Sequence, residues 1–393
     1  MKCFIVTNKK SIKLKPVYFK HIQLRIFSLV VVILMSMEGI AHCRPIIGYG
    51  SSDAVYPSKN QEFFYMGFLL GFNRRIKKHL DKDFLAVKAM ENQDPFGALH
   101  SARYLKSQGV DMLVGFPTSH EALLVAEFAA KNKLLFISAA AAHSDLAKFG
   151  PLIHTMAPST QQITQHLLKF IQKKAGKKKG LMISNPADLY SMNHHRMVFD
   201  LMDKNSSLRL DLTPAYLNDQ LRLNDRYIEM IKRDEIQYLY ITSYTTKSFK
   251  LLEQLNQCGI DLPIYTNTSW TIGDIEYLRR LLWMIKSKVY SVSLWSTTSK
   301  DYMDFARTAR KVYGNVSPSE MAIGYDLGIM VAETINHIQG TIDKESIKNA
   351  FLNMDYVDGT SCGRIYISKK GGHARRKIEI VEFDLQKGFI AAE

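Results

Sequence analysis

Short apolar runs alternate along this chain with longer stretches whose apolar positions recur at helical spacing. The first series has runs at residues 45–50, 84–90, 112–114 and 134–138, separated by helix-period stretches at 60–79, 96–108 and 121–130. In the stretch 60–79 the apolar stripe is Phe63, Phe64, Met66, Gly67, Leu70 and Phe72. A crossing strand at 154–159 leads to a second series. Its runs lie at 180–184, 208–216, 238–242 and 263–265, and its helices include 161–174, 224–233 and 246–257. The run 286–295 then reads as a strand returning to the first series, followed by helices at 300–313, 317–338 and 344–352. Residues 364–367 form a late strand, and 377–384 alternate apolar and charged residues as a closing edge strand does. Apolar runs without alternation are strands buried on both faces, the signature of parallel sheets. Two such series predict an α/β fold of two doubly wound parallel-sheet lobes joined by crossing hinge strands. The expected division is 44–158 plus 291–358 for the first lobe and 159–290 plus 359–393 for the second.

The stretch 115–146 carries the densest local signal. It runs from Gly115 through a Pro117-Thr118-Ser119 loop and an amphipathic helix to a second buried strand and four alanines, Ala139 to Ala142. This is a βαβ unit with small residues where both strands end. In open α/β sheets, ligands bind beyond the carboxyl ends of strands. Thr118 and Ser119 precede a helix, so they can cap it and leave backbone N–H groups for an anionic ligand. A helix cap plus a tight turn explains the same residues without any ligand. The triplet Gly48-Tyr49-Gly50 lacks the third glycine that a dinucleotide loop requires. Asp94 before Pro95 reads as a helix cap. His194 and His195 are adjacent on one helix, which is a poor metal pair.

Composition adds a compartment. The chain has 393 residues and a net charge of +15. Residues 1–41 hold seven Lys/Arg and one Glu, which leaves +9 for the rest. That charge is dispersed, and the lysine-rich turn 173–179 lacks the aromatic partners a nucleic-acid surface wants. Residues 26–37 are almost wholly apolar and Gly39-Ile40-Ala41 offers small residues at a cleavage site, so 1–41 reads as a secretory signal peptide. An uncleaved membrane anchor is the alternative. His42 before Cys43 argues against a lipoprotein signal. With Cys3 gone, Cys43, Cys258 and Cys362 remain, an odd number for an exported protein. Cys258 and Cys362 could pair. No Cys/His spacing resembles a zinc site, and no metal or cofactor is expected.

Gly115-x-x-x-Ser119, a helix, and then Ile137-Ser138-x-Ala140-Ala141 resemble the leucine/isoleucine/valine-binding proteins, the type I periplasmic solute-binding family. The order of further motifs extends this resemblance over about everything past residue 44, including Gly324-Tyr325-Asp326 on a late helix. The resemblance implies that Ser119, Ala140 and Ala142 hold the carboxyl and amino end of an amino-acid-like ligand. It places Asn60 on one wall of the cleft and Tyr190 and Tyr244 opposite. It maps Thr268 onto the position where amino-acid binders carry an acid against the ligand ammonium. The family usually has threonine where Ala142 stands. The neutral Thr268 argues against a standard α-amino acid. Trp270 is either an aromatic wall or a packed loop residue.

The function expected is therefore non-catalytic. An exported, periplasmic protein captures a small polar or carboxylate-bearing ligand between two lobes and presents it to the membrane permease of an ABC importer. No nucleophile elbow, phosphate loop or His-Glu-x-x-His motif is present. A repressor would need an N-terminal helix-turn-helix where the export signal stands. The alternative is a sensor ectodomain or interaction module with a degenerate ligand cleft.

Overall fold

The computed structural model describes residues 46–52, 58–78, 87–91, 96–272, 275–283, 286–296, 299–314, 316, 318–359 and 363–392. The signal segment 1–41, Cys3, Cys43, Asp94 and Cys362 lie outside the described residues, as does the Asn60 side chain. In chain order the first lobe is built from β1 (Ile47–Ser52), α1 (Ser58–Arg75), β2 (Val87–Glu91), α2 (Gly97–Ser107), β3 (Met112–Gly115), α3 (Ser119–Lys131), β4 (Leu135–Ser138) and β5 (Ile153–Thr155). The second lobe follows with α4 (Thr160–Ala175), β6 (Lys179–Ser184), α5 (Leu189–Lys204), β7 (Asp211–Tyr216), α6 (Asp225–Lys232), β8 (Tyr238–Ile241), α7 (Phe249–Gln257), β9 (Ile264–Thr266), α8 (Ile275–Leu282) and β10 (Val289–Ser293). The chain then forms α9 (Lys300–Tyr313), α10 (Pro318–Asn336), α11 (Lys344–Asn353), a small hairpin of β11 (Tyr356–Asp358) and β12 (Arg364–Tyr366), β13 (Gly372–His373), β14 (Glu379–Asp384) and β15 (Gly388–Ala391).

The first sheet has the order β13-β5-β4-β3-β1-β2 and the second β15-β14-β10-β9-β8-β6-β7. The pairs from β1 to β5 and from β6 to β10 are parallel, as the uninterrupted apolar runs required. Strands β3, β4 and β8 are buried along their whole length. The α/β architecture of two doubly wound lobes is thus present.

Three details differ from the sequence reading. The run 286–295 does not return to the first sheet: β10 pairs with β9 and, antiparallel, with β14. The crossing starts only after Ser293. Residues beyond 359 do not pass directly to the second lobe either. β13 pairs with β5 of the first sheet, and the chain crosses only at about 374–378. Finally, β14 is not an edge strand, because β15 pairs outside it. The β10–β14 and β13–β5 partners are distant in sequence, so local patterning does not reveal them.

One helix pair fixes the first lobe. α1 carries Gly67 and Gly71, and α10 carries Gly324 and Gly328, each pair four apart on one face. A Cβ at Gly67 would lie 2.2 Å from the Met321 carbonyl oxygen, and one at Gly324 would lie 2.0 Å from that of Phe64. The helices therefore approach backbone to backbone, which only glycine permits here.

The lobes are joined by three crossings, at 156–159, from 294 onward and at 374–378. Arg376, in the third, binds all of them. Its guanidinium donates to the Met156 carbonyl at 3.4 Å, the Leu294 carbonyl at 2.9 Å and the Asp326 carboxylate at 3.0 Å. Both side chains of this ion pair are fully buried. Removing one partner of such a pair leaves an uncompensated buried charge, which costs about 3–5 kcal/mol. Arg376→Leu should lower unfolding free energy by roughly that amount in a denaturant titration. A loss below about 1 kcal/mol would show that the pair does not hold the crossings.

Candidate functional site

The site is built where strands end. β3 runs into Gly115, whose φ of +103° is a conformation open to glycine, and a Cβ there would lie 2.2 Å from the Gly50 carbonyl oxygen. Phe116 follows in the left-handed region at φ +45°. Its N–H donates to that same carbonyl at 2.8 Å, and its ring occupies the space a Gly50 side chain would take. Gly50 is thus a packing requirement of this loop, and it needs no nucleotide to explain it. The Ser138 hydroxyl, at the end of β4, donates to the Phe116 carbonyl at 2.9 Å. The loop is clamped from both neighbouring strands, and left-handed backbone at a non-glycine residue persists where surroundings over-determine it.

Thr118 then caps α3. Its hydroxyl accepts from the Glu121 N–H, and the Glu121 carboxylate accepts from the Thr118 N–H, a reciprocal capping box. With that task taken, Ser119 stands at the first helical position, and its buried hydroxyl has no hydrogen-bond partner among the described residues. The expectation that Thr118 and Ser119 share the helix start resolves into two roles. Thr118 satisfies the backbone, and Ser119 Oγ stays available beside a helix N-terminus, which favours negative charge.

Facing it are residues of the second lobe. Tyr190 lies in the first turn of α5, capped by Asp188, whose carboxylate accepts the Tyr190 N–H at 2.9 Å. The Tyr190 ring stacks on Tyr244 at 4.8 Å and meets the His194 ring edge-on at 4.6 Å. Its hydroxyl shares a hydrogen bond with Thr268 Oγ1 at 3.0 Å. Ring face, ring edge and hydroxyl are therefore all fixed. Burial, ahead of every other influence, pushes the Tyr190 hydroxyl well above its ordinary pKa, so it stays protonated.

Pro117, Ser119, Ala140, Tyr190, Tyr244, Thr268, Ser269 and Ile272 line one gap. Five residues singled out from the sequence meet there: Ser119, Ala140, Tyr190, Tyr244 and Thr268. Ala142 does not. It is buried, and its carbonyl accepts from Thr160 Oγ1 at 2.6 Å and from the Thr160 N–H at 3.0 Å, so it joins the first lobe to the start of α4. Trp270 is the packed loop residue of the two readings. It is fully buried, and its indole N–H donates to the Ser243 carbonyl at 3.1 Å. Sequence reasoning missed Pro117, Ser269 and Ile272. The first two adjoin residues it did name, while Ile272 carries no signal beyond being apolar.

Among the described residues no charged side chain lines the gap. Its free volume is about 10 Å³, room for roughly one water. A ligand the size of an amino acid enters only when the lobes, or the tyrosine pair and Ser119, stand further apart. Among the described residues no cluster of His, Cys, Asp or Glu could hold a metal ion. His194 Nδ1 is within hydrogen-bond distance of Thr164 at 3.2 Å, whereas His195 lies against Ser184 at 2.9 Å and Tyr216 at 3.1 Å. The two imidazoles serve different neighbours. Cys258 is half-buried just beyond α7.

The family model described as "Periplasmic binding protein" matches residues 87–388, and the chain belongs to that family. No curated protein matches it by sequence. Among solved structures it is similar to an ABC transporter substrate-binding protein from Desulfitobacterium hafniense in complex with Leu. That match has 16% identity and a TM-score of 0.71, covering 88% of this chain and 100% of the other. It is also similar to a leucine-binding protein from Thermotoga maritima (15% identity, TM-score 0.72, 88% and 98% covered). A third is a solute-binding protein of an ABC transporter from Rhodopseudomonas palustris in complex with 3,4-dihydroxybenzoic acid (15%, 0.66, 88% and 94%). These neighbours are substrate-binding proteins, and at such identities they establish the fold. Among the described residues no helix is long and apolar enough to cross a membrane.

Two predictions follow from this geometry. Ser119→Ala removes a hydroxyl that has no partner, so stability in denaturant should change by less than about 0.5 kcal/mol, whereas Tyr190→Phe breaks the bond to Thr268 and should cost about 1 kcal/mol. Equal costs would contradict the orphan state of Ser119.

The second concerns pH. Burial holds His154, His194 and His373 neutral, lowering them to about 4, about 3 and about 4. The unfolded chain, with imidazoles near 6.5, then binds more protons than the folded one, so stability falls as pH drops from about 6.5 toward 4. Asp188, pushed up to about 6 by burial, has the opposite slope between about 4 and 6, but one carboxyl opposes three imidazoles. The thermal midpoint should be lower at pH 5 than at pH 7, and a flat profile would show the imidazoles to be solvated.

Proposed function

We propose that this protein is an exported, periplasmic solute-binding protein. It captures a small polar or carboxylate-bearing ligand between its lobes and presents the closed form to the membrane permease of an ABC importer. The observation that carries this reading is the convergence of loops from both lobes on one gap, with Ser119 Oγ buried and unpartnered at the start of α3. A carboxylate oxygen is a fitting acceptor for that hydroxyl and for the positive end of the helix. Ala140 allows close backbone approach, while Tyr190 and Tyr244 close from the other side. Thr268, engaged with the Tyr190 hydroxyl, offers no charge to an ammonium group. This supports carboxylates or amides over standard α-amino acids. The neighbours named above bind leucine and 3,4-dihydroxybenzoic acid. Both carry a carboxyl group, and the second lacks an ammonium.

The mechanism is a population shift. A ligand touching Ser119 and the tyrosines contacts both lobes only when they are closed, so its binding favours closure. The permease reads the closed shape. Asn60 and Ala142 belong to this proposal less directly: Ala142 acts through the backbone it gives to Thr160. The narrowness of the gap favours one alternative, a sensor ectodomain or interaction module with a degenerate cleft.

Thermal unfolding against α-amino acids, carboxylates lacking an amino group, amides and short peptides tests the reading. A ligand at a hundredfold excess over its dissociation constant stabilises by about 2.7 kcal/mol. The shift should come with carboxylates or amides, and Ser119→Ala should weaken binding by about 1–3 kcal/mol. A shift with ordinary amino acids would show that Thr268 does not exclude an ammonium group. No shift with any solute would favour the sensor or module.

A further inference from the structure

The three tryptophans of this chain are not alike. Trp270 and Trp295 are fully buried, whereas Trp283 is 79% exposed. Indoles are enriched at interfaces and membrane-interface belts, where one end of the ring meets an apolar phase and the other water. Trp283 ends the last turn of α8, its N–H donating to the Arg279 carbonyl at 2.9 Å. Leu278 and Leu282 face the core of the second lobe, which turns Arg279, Arg280 and Trp283 outward. Beside them is the turn between β14 and β15, carrying Leu385, 48% exposed. Arg279 fastens the two elements together, donating to the Gln386 carbonyl at 3.1 Å. Trp283 and Leu385 thus project from one platform, lining a common apolar groove with the two arginines.

Three described cations flank this platform. Arg280, Lys286 and Lys387 are exposed. Asp384, the carboxylate of the turn, accepts the Gln386 and Lys387 N–H groups at 2.8 and 2.7 Å and so faces the turn itself. The whole chain carries +15.

We infer that this corner of the second lobe docks on an anionic lipid bilayer surface, with Trp283 and Leu385 entering the interfacial region and the flanking cations meeting lipid phosphates. Indole and leucine side chains bracketed by Arg and Lys are the chemistry of an interfacial anchor. The shape favours lipid over protein. Trp283 stands out from the surface, and a deformable bilayer receives such a knob without a matching hole. A net positive charge adds long-range attraction to an anionic surface. The inference does not depend on which solute the cleft takes.

Trp283 is its own reporter, because the other two indoles are buried. The full chain is mixed with vesicles containing phosphatidylglycerol or made of phosphatidylcholine alone, and tryptophan emission and acrylamide quenching are followed. With anionic vesicles, emission should move to shorter wavelength and quenching should fall, and both changes should reverse as salt is raised. Arg280→Glu and Leu385→Ser keep the reporter, and each should weaken the response about tenfold. An unchanged Trp283 signal while the chain co-sediments would mean that another segment binds the bilayer, and the inference fails. It also fails if phosphatidylcholine alone gives the same shift, or if both variants respond as the parent does. A response to a glutamate-rich peptide with none to vesicles would replace the bilayer by an acidic protein partner.

Discussion

A single buried guanidinium holds together the parts that make this a two-lobed molecule. Arg376 sits in the last crossing, touches carbonyls of the other two and pairs with Asp326 of α10. The crossings bury Met156, Leu294 and Trp295 in the main core, and their backbone carbonyls need donors once buried. The pair also explains Gly324-Tyr325-Asp326. Gly324 brings α10 against α1, and two residues on, Asp326 reaches the crossings. The close helix pair and the hinge are consequences of one short stretch.

In the proposed function, that constraint sets where a ligand would act. The first lobe offers a clamped loop, a satisfied helix cap and a spare hydroxyl. The second offers two stacked tyrosines whose freedom is removed by Thr268 and His194. Neither half is a site alone. With the crossings joined, the relative position of the halves has few degrees of freedom, so a small molecule touching both can shift the population of closed forms. Preorganisation of this kind lowers the ordering cost of binding.

The described lining is uncharged. In the proposed cleft, selectivity would come from hydroxyl geometry, a helix N-terminus and aromatic faces. Sites of this kind discriminate through buried polar groups left unpaired by the wrong ligand, and Ser119 Oγ is such a group.

The sequence by itself determined the alternation of strands and helices, because apolar periodicity is a local property. Its resemblance to the leucine/isoleucine/valine-binding family brought Ser119, Ala140, Tyr190, Tyr244 and Thr268 forward, and all five stand just beyond buried strands. α8 was overlooked: it is short, and its apolar pair Leu278 and Leu282 lies among arginines. Only the tertiary structure decided the division of labour between Thr118 and Ser119, the structural role of Ala142, the burial of Trp270 against the exposure of Trp283, and the pairing of β13 with β5 and of β15 with β14. Most of these depend on partners far away in the chain, as β13 on β5 and Ala142 on Thr160. A hydrogen bond such as Tyr190 to Thr268, or a clasp such as Arg376 to Asp326, leaves no periodic trace in the residues between.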